Sequence, residues 1–411
     1  VQLTHKVNPE LMFKDYLYVS GTAKTQLEYF DWFVNNIKET YGAPVANVLD
    51  IGCNDGSFLD AWKKVGVDTF GVDPAENLFP ISSAKHNVVC DFFSSDQFKI
   101  KFDVITCMNA FAHNANQLEL LKNIKEVMHD DSLLFCTTSQ ADMILNGEFD
   151  TIYHEHISYY CIESMRALAK RAGWNLIDAI KTPIHGTSYV FILSPKFKQP
   201  KHIKNLIAME SKLQDPITYE TWADKVAEIK DELISNCEQS EKLGYRLIGY
   251  GAAAKGMTLL NYTQISLECI IDDNPLKQGT FTAGNGTPIV SSEYLNLLDE
   301  KDKVLFIPLA WNFYKEIKEK IKERGAMKKD ALAKVRKNIT RYGVQYEHYK
   351  NSLLYELKNL LMKYKYNVHY PEHYNCKMCD KLCFIKFFTN NDIKINDKME
   401  PETKNEKFKR T

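Results

Sequence analysis

The sequence predicts an α/β protein with two Rossmann-like domains in series, and two glycine-rich turns carry this prediction. Each turn follows a short apolar strand and precedes a helical stretch, the first within residues 47–60 and the second within residues 245–256. Strands and helices alternate around both turns, as in a doubly wound, mostly parallel sheet that binds ligands at the carboxyl ends of its strands. The length of 411 residues agrees, because it exceeds what one ordinary core supports.

Composition excludes several classes of protein. Apolar residues make up 45% and charged residues 26% of the chain, as in a soluble globular protein. The formal net charge of -1 provides no field that would attract nucleic acid or an anionic membrane. We find neither a run of about 18 apolar residues nor the apolar core of a signal peptide, so we expect no transmembrane helix. Seven of the ten cysteines stand singly in apolar segments, which is typical of free thiols in the cytoplasm.

The N-terminal 40 residues contain Tyr16 and Tyr18, followed by an amphipathic helix predicted over residues 26–37. Without further context, the two tyrosines are interpreted as packing residues.

The first glycine turn predicts the cofactor. Gly52 and Gly56 let the backbone turn tightly and approach a ligand, and residues 57–65 form the predicted helix after them. Asp73 ends the next strand, where a carboxylate can accept both hydroxyls of a ribose. The spacing differs from the G-x-G-x-x-G pattern, and Asp50 would repel a pyrophosphate while suiting a cationic, amino-bearing ligand. These features favour S-adenosylmethionine over NAD.

Later strands add polar residues at the same edge of the predicted sheet. Strands are expected at residues 88–92, 102–109 and 132–138. Asp91 can reach an adenine amino group, and Asn109 and His113 would lie on the rim. His113 is either a surface residue or a substrate contact. The predicted cofactor contacts are Asp50, Gly52, Asn54, Asp55, Gly56, Asp73, Asp91 and Asn109.

Residues 151–160 concentrate catalytic side chains, with Tyr153, His154, Glu155 and His156 in consecutive positions. They offer a base, an acid and an orienting partner. They also offer two imidazoles for a metal, but histidines two apart face opposite sides of a strand and align poorly on a helix, and no third ligand is near. A third alternative is hydrogen bonding within a domain junction.

The remaining chain contains a helix at 162–172, an antiparallel strand pair at 175–180 and 188–193, and a charged helical segment over 195–242. The second glycine turn follows. Gly249 and Gly251 form an anion-binding helix start to which Lys255 adds a positive charge, although such a turn can also be purely structural. Strands are predicted at 266–271 and 303–312.

The C-terminal residues have a different character. Beyond about residue 325, lysine, tyrosine and asparagine dominate, and residues 394–411 are polar enough for disorder. Cys376, Cys379 and Cys383 have the knuckle spacing of a zinc site, with His369 and His373 upstream, but a second downstream pair is absent. Zinc therefore stays an open alternative.

Taken together, these motifs resemble the nucleotide-sugar C-methyltransferase family, whose members methylate C3 of deoxysugars such as the precursor of tetronitrose. The resemblance covers residues 1–324 and rests on several blocks in one order. The blocks are residues 1–5 with 16–20, 50–56, 109–113, 153–156, 185–188, 249–256, and 274–279 with 309–312.

The resemblance implies a fold, a reaction and roles for individual residues. The fold is a class I methyltransferase Rossmann-like domain followed by a second Rossmann-like α/β domain, with the sugar between them. His156 is implied as the general base, with Tyr153 and Glu155 assisting, on a 4-keto sugar. The implied substrate contacts are Tyr18, Ser20, Asn109, His113, His185, Lys255 and Asn312.

The chain departs from the family at both ends. It begins just after the family's cysteine-bearing zinc module, and the residues after about 325 do not resemble the family's ending. The predicted division is residues 1–40 as an N-terminal remnant and substrate-binding segment, 41–195 as the S-adenosylmethionine-dependent methyltransferase domain, 196–243 as a helical connector, 244–325 as the C-terminal Rossmann-like domain and 326–411 as a divergent basic tail.

The expected chemistry is enolate methylation. A neutral imidazole removes a proton next to a ketone, and the enolate attacks the methyl group of a sulfonium. On a helical turn Tyr153 and His156 would face one cavity, and the phenol could hold the enolate oxygen. Two alternatives remain, sugar O-methylation and a non-catalytic role in binding a nucleotide-sugar. The sequence leaves the oligomeric state open.

Overall fold

A computed structural model describes residues 2–138, 143–182, 184–185, 187–299 and 301–323. The possible zinc ligands Cys376, Cys379 and Cys383, and the predicted tail at 326–411, lie outside the described residues. Among the described helices, none is both long and apolar enough to cross a membrane.

The described residues form two sheets whose strands are mostly parallel, with helices around them. The strands are β1 Asn47–Ile51, β2 Asp68–Val72, β3 Asn87–Val89, β4 Phe102–Met108, β5 Met128–Thr138, β6 Asn175–Thr182, β7 Ser188–Ser194, β8 Arg246–Tyr250, β9 Cys269–Ile271, β10 Ile289–Val290 and β11 Val304–Pro308. The helices are α1 Pro9–Phe13, α2 Lys24–Tyr41, α3 Ser57–Lys64, α4 Phe79–Ser83, α5 Gln117–Glu126, α6 Met143–Asn146, α7 Ile162–Arg171, α8 Ile203–Met209, α9 Pro216–Lys242, α10 Ala254–Thr263 and α11 Tyr314–Glu323.

The first sheet has seven strands in the order β3-β2-β1-β4-β5-β7-β6. Strands β1 to β5 run parallel, whereas β7 is antiparallel to both β5 and β6. The predicted antiparallel pair is therefore present, inserted at one edge of an otherwise parallel sheet. This topology confirms the class I methyltransferase Rossmann-like domain.

Two apolar clusters bury the faces of this sheet. Because side chains of a strand alternate between faces, Leu49 joins one cluster while Val48 joins the other. Helix α2 covers the second face with aromatic residues at helical spacing, including Tyr29 and Phe33, which are 2% and 3% exposed. Burial of an aromatic side chain typically contributes about 1.5–3 kcal/mol, so α2 is anchored firmly beside the first glycine turn.

The second sheet has four parallel strands in the order β10-β9-β8-β11. Its strands are short and nearly continuous in apolar residues, as expected for a parallel sheet covered on both sides. This sheet confirms the second Rossmann-like α/β domain. Helix α9, 27 residues long, connects the two sheets, and its Trp222 indole donates to the carbonyl of Glu148, 2.9 Å away.

The two glycine turns repeat one geometry. Gly52 has φ 80° and Gly251 has φ 86°, values that L-residues with a side chain rarely adopt. A Cβ at either position would lie 2.6 Å from the methyl carbon of Ala110 or Ala310, respectively. Each glycine therefore permits both the backbone conformation and the close approach of the next strand-to-helix loop.

Candidate active site

A cavity of about 1050 Å³ opens where the carboxyl ends of the two parallel sheets meet the N-terminal segment. Most of the side chains singled out from the sequence line it, although they come from positions up to 294 residues apart, from Tyr18 to Asn312. The lining includes Tyr18, Ser20, Asp50, Gly52, Asn109, His113, Tyr153, Glu155, His156, His185, Lys255 and Asn312.

Asp50 lies at the end of β1 and is 1% exposed. Its Oδ1 accepts a hydrogen bond from the Thr106 hydroxyl at 2.6 Å. Burial, with a smaller contribution from the neighbouring carboxylate of Asp73, raises the pKa of Asp50 to about 7. A cationic ligand in this part of the cavity would favour the ionised carboxylate, so the site fits the sulfonium and ammonium groups of S-adenosylmethionine.

Asp73, at the tip of β2, holds the backbone of the turn. Its Oδ2 accepts from the Asn54 amide at 2.8 Å and its Oδ1 from the Ala75 amide at 2.9 Å. Burial raises the pKa of this carboxyl group. Asp73 is not among the residues that line the cavity, and its ribose-binding role stays a prediction.

Three other residues of the predicted cofactor set act on the protein itself. The Asn54 side chain bonds the backbone of Tyr18 and Ser20, at 2.9 Å each. Asp55 accepts from the Gly21 amide at 3.0 Å, and Gly56, with φ 81°, begins helix α3. None of the three lines the cavity.

Asp91 is also placed away from the cavity. It is exposed, and its Oδ1 accepts from the Phe92 amide at 2.7 Å. Strand β3 ends at Val89, earlier than the strand predicted over 88–92, so Asp91 follows the strand in a loop.

Asn109 directly follows β4 in a left-handed conformation, with φ 56°, which asparagine tolerates better than most residues. Its backbone amide donates to the carbonyl of Thr137 at 3.0 Å. The side-chain Oδ1 is buried in the cavity wall and has no hydrogen-bond partner among the described residues. Since buried polar atoms are normally satisfied, this oxygen is available to a ligand donor.

His156 is held in one tautomer. Its Nδ1 donates to the carbonyl of Thr151 at 2.8 Å, which leaves the Nε2 lone pair to accept from the Tyr153 hydroxyl at 3.1 Å. Burial, helped by His113, lowers the pKa of His156 well below its usual value. The imidazole is therefore neutral at pH 7 and carries a basic nitrogen toward Tyr153.

The backbone around these residues differs from the expected helical turn. Residues 151–156 form irregular turns, in which the His156 amide donates to the carbonyl of Tyr153 at 3.0 Å. The two rings still face each other, with centroids 4.2 Å apart. Burial and the nearby Glu155 raise the pKa of Tyr153, so its hydroxyl is a hydrogen-bond donor at neutral pH.

Glu155 has a partner that sequence reasoning missed. Its Oε2 accepts from the Tyr16 hydroxyl at 2.6 Å, across 139 positions of sequence. Tyr16, interpreted from the sequence as a packing residue, lines the cavity instead. His154, by contrast, points largely to solvent at the cavity edge.

His113 completes the aromatic side of the site. Its ring stacks on Phe13 with centroids 5.5 Å apart, and lies 5.3 Å from the ring of His156. Its Nε2 is buried with no hydrogen-bond partner among the described residues, and burial lowers the pKa of the ring. His113 therefore has a free ring nitrogen at the cavity wall.

The second domain contributes a buried cation. Lys255 is 8% exposed, and its ammonium donates to the carbonyl of His185 at 2.6 Å and lies 4.9 Å from the Trp311 ring centroid. The Trp311 indole donates to Asp150, whose pKa is raised by burial. Desolvation and the charge of Lys255 lower the pKa of His185 to about 3. These contacts tie the two domains together behind the cavity.

One further cavity residue gave no signal in the sequence. Gln26, on α2, is 3% exposed, lines the cavity, and has a buried Oε1 with no partner among the described residues. Its position on the helix resembles any other inward-facing residue. No group of three or more histidine, cysteine or carboxylate side chains is arranged to hold a metal within the described ranges.

Comparisons with known proteins identify methyltransferase domains in this chain. A methyltransferase-domain family model matches residues 24–179, and a model of the C-methyltransferase C-terminal domain matches residues 183–332. The C-methyltransferase NovU of Streptomyces niveus is 26% identical over 340 residues, which cover 78% of this chain and 80% of that protein. A ubiquinone biosynthesis O-methyltransferase of Glaesserella parasuis is 28% identical, but over only 24% of this chain and 48% of its own length.

Solved structures resemble only part of the chain. A methyltransferase from Clostridium acetobutylicum shares 12% identity over 42% of this chain and 92% of its own, with a TM-score of 0.36. The plantazolicin methyltransferase BpumL, solved with S-adenosylhomocysteine, shares 17% identity over 41% of this chain and 82% of its own, with a TM-score of 0.34.

The two family models follow each other along the chain, the NovU match spans both domains, and the cavity fits a sulfonium donor at the first glycine turn. The chain is therefore an S-adenosylmethionine-dependent methyltransferase that is similar to C-methyltransferases, with a match to a methyltransferase domain followed by a match to the C-methyltransferase C-terminal domain.

Proposed function

We propose that this C-methyltransferase acts on a nucleotide-linked 4-keto deoxysugar and methylates the carbon next to the ketone, with His156 as the base. The observation that carries the proposal is the fixed, neutral imidazole of His156 in a cavity shared by both glycine turns. A base of this kind is needed to form a carbon nucleophile from a ketone. A cavity reaching both domains suits a long, two-part substrate.

The first step is proton transfer. The Nε2 lone pair of His156 takes the proton from the carbon next to the ketone, and the C–H electron pair moves into an enolate. The Thr151 carbonyl stabilises the resulting imidazolium through Nδ1–H. The Tyr153 hydroxyl donates to Nε2 in the structure. When the substrate binds, this hydroxyl would turn to the enolate oxygen, and Nε2 would then be free for the proton.

The second step is methyl transfer. S-adenosylmethionine supplies an electrophilic methyl group, so the enolate carbon forms a new C–C bond while the methyl–sulfur bond breaks. The protein contributes to this step by positioning, because holding the two reactants in line removes the entropic cost of bringing them together. All five residues assigned to the two ligands line the cavity, and we assign Asp50 and Asn109 to the cofactor and Tyr18, Ser20 and His113 to the sugar.

The nucleotide end would lie against the second domain. Helix α10 begins at Ala254 without a side-chain cap, so its first backbone amides can bind an anion. Lys255, in the first turn of this helix, and Lys277 both line the cavity. The Lys277 ammonium donates to the carbonyl of Ala252 at 2.9 Å and lies 3.9 Å from the Asp272 carboxylate. Positive charge beside a helix N-terminus matches a diphosphate.

Sugar O-methylation is the alternative. It would use the same base and the same methyl donor but would not need a ketone. The match to the C-methyltransferase C-terminal domain and to NovU supports carbon as the acceptor. We also propose a cytoplasmic location, because all seven cysteines among the described residues are free thiols.

The proposal is tested by incubating the protein with S-adenosylmethionine and a panel of nucleotide-linked sugars, with mass detection of added methyl groups. Each 4-keto sugar is paired with its 4-hydroxy counterpart. We expect methylation of at least one keto sugar and of none of the hydroxy partners. Methylation of the hydroxy sugars would contradict the enolate chemistry and favour O-methylation.

A further inference from the structure

Residues 14–21, called here the N-terminal strap, cross one side of the cavity with little packing of their own. Helix α1 just before the strap has no buried residue, and Leu11 within it is 82% exposed. Tyr16 and Tyr18 of the strap face the cavity. The position of the strap therefore depends on hydrogen bonds with the rest of the protein.

Three asparagine side chains hold the strap backbone. Asn77 accepts from the Tyr16 amide and donates to the Tyr16 carbonyl, both at 3.0 Å. Asn54 accepts from the Ser20 amide and donates to the Tyr18 carbonyl, both at 2.9 Å. Asn274 donates to the Leu17 carbonyl at 2.7 Å. The side-chain amides thus take the place of a neighbouring strand.

Of these three asparagines, Asn54 belongs to the first glycine turn, called here the cofactor turn. It follows Gly52 and Cys53, both of which line the cavity, and its own amide is fixed by Asp73 at 2.8 Å. Its φ of 53° aims the side chain away from the cavity and toward the strap. A ligand that orders this turn therefore also orders the two hydrogen bonds from Asn54 to the strap.

Tyr16, near the beginning of the strap, contacts residues 151–156, called here the catalytic turn. Four residues before Ser20, the Tyr16 hydroxyl donates to Glu155 at 2.6 Å, and Glu155 is the neighbour of His156. Hydrogen bonds from Asn54 to Tyr18 and Ser20, the strap backbone between Tyr18 and Tyr16, and the hydrogen bond from Tyr16 to Glu155 thus link the cofactor turn to residues 151–156.

We propose that Asn54 is a positioning residue that acts through the strap: occupancy of the cofactor turn fixes Asn54, which fixes Tyr16 and thereby Glu155. Binding of the methyl donor would then further stabilise the catalytic turn. The catalytic meaning of Glu155 rests on the function proposed above, whereas the physical coupling does not.

Hydrogen–deuterium exchange with mass detection tests this coupling and needs no sugar substrate. The probe is S-adenosylhomocysteine, whose binding is measured in parallel by calorimetry. In the native protein we expect it to slow exchange both in the strap, where the amides of Tyr16, Ser20 and Gly21 donate to side chains, and in residues 151–156.

The decisive variant is Asn54→Gly, because glycine accepts the φ of 53° and only the side-chain bonds are lost. We expect it to bind S-adenosylhomocysteine, with strap exchange about tenfold faster than in the bound native protein and no slowing at 151–156. Gln264→Gly is the matched control, since Gln264 has φ 58° and lies at the end of α10. It should behave as the native protein.

Two results with Asn54→Gly would overturn the inference. One is undiminished slowing at 151–156, which would show that the strap carries nothing. The other is a folded variant that no longer binds S-adenosylhomocysteine, which would make Asn54 a direct cofactor contact. Should Asn54→Gly not fold, Tyr16→Phe decides: we expect slowing in the strap but not at 151–156, and slowing in both would refute the coupling. Absence of methyl transfer to any sugar would affect the proposed function but not this result.

Discussion

Substitution of Gly52 by alanine separates two costs that the cofactor turn imposes. The first cost is conformational, because Gly52 has φ 80°, a left-handed value that costs an L-residue about 1–2 kcal/mol. The second is steric, because the new Cβ would lie 2.6 Å from the Ala110 Cβ, whereas carbon atoms pack at about 3.5–4.0 Å. Relief requires movement of the loop after β4, at about 1–3 kcal/mol.

Gly66→Ala measures the conformational cost alone. Gly66 has φ 79°, but nothing lies within 4 Å of a Cβ built there. We therefore expect Gly66→Ala to lower the free energy of unfolding by about 1–2 kcal/mol and Gly52→Ala by about 2–5 kcal/mol. Both are measured by urea unfolding followed by tryptophan fluorescence.

Calorimetry with S-adenosylmethionine adds a functional readout to this pair. Gly52 lines the cavity, so its alanine variant should bind the cofactor more weakly, while Gly66→Ala should bind it normally. Equal destabilisation by the two substitutions, or unchanged cofactor binding by Gly52→Ala, would refute the account of the turn.

Three further predictions concern the cavity. His156→Asn should lower methyl transfer by about 10²–10⁴-fold, the usual contribution of a general base, with calorimetric cofactor affinity retained; full activity would exclude His156 as the base. Asp50 binds its proton more tightly in the folded than in the unfolded protein, because its pKa in the folded protein is about 7. The free energy of unfolding therefore falls as the pH rises from about 4 to 7. As the pH rises from 5 to 7, the free energy of unfolding of Asp50→Asn, measured with urea, should therefore increase by about 2 kcal/mol relative to that of the native protein. An opposite trend would contradict that pKa. Lys255→Met leaves the His185 carbonyl without its donor, so it should lower the free energy of unfolding by about 1–3 kcal/mol and raise the KM for the nucleotide-sugar. An unchanged KM would exclude Lys255 from the substrate site.

Local patterns in the sequence predicted the fold well. The glycine turns, the strands that precede them and the antiparallel pair at 175–193 all depend on short-range signals, namely apolar runs, glycines and strand-end carboxylates. The helix boundaries around Ser57 and Ile162 follow equally from local spacing. Long-range packing was not needed to recognise any of these elements.

Side-chain direction was less predictable, because distant segments set it. Asn54 belongs to the cofactor motif by position, yet its side chain bonds the strap more than 30 residues away. Tyr16 meets Glu155 only because the strap returns across the cavity. Asp91 falls outside the cavity because β3 ends two residues before it. In each case a tertiary hydrogen bond or a strand end, invisible to local pattern, decides the placement.

The most direct test of the central claim uses S-adenosylmethionine labelled with ¹³C in its methyl group and a nucleotide-linked 4-keto deoxysugar. The product is then examined by NMR. Enolate attack from the His156 site predicts a labelled methyl group bonded to the carbon next to the ketone, with the chemical shift of a carbon-bound methyl. A labelled methyl with the shift of a methoxy group would place the new bond on oxygen and contradict the mechanism.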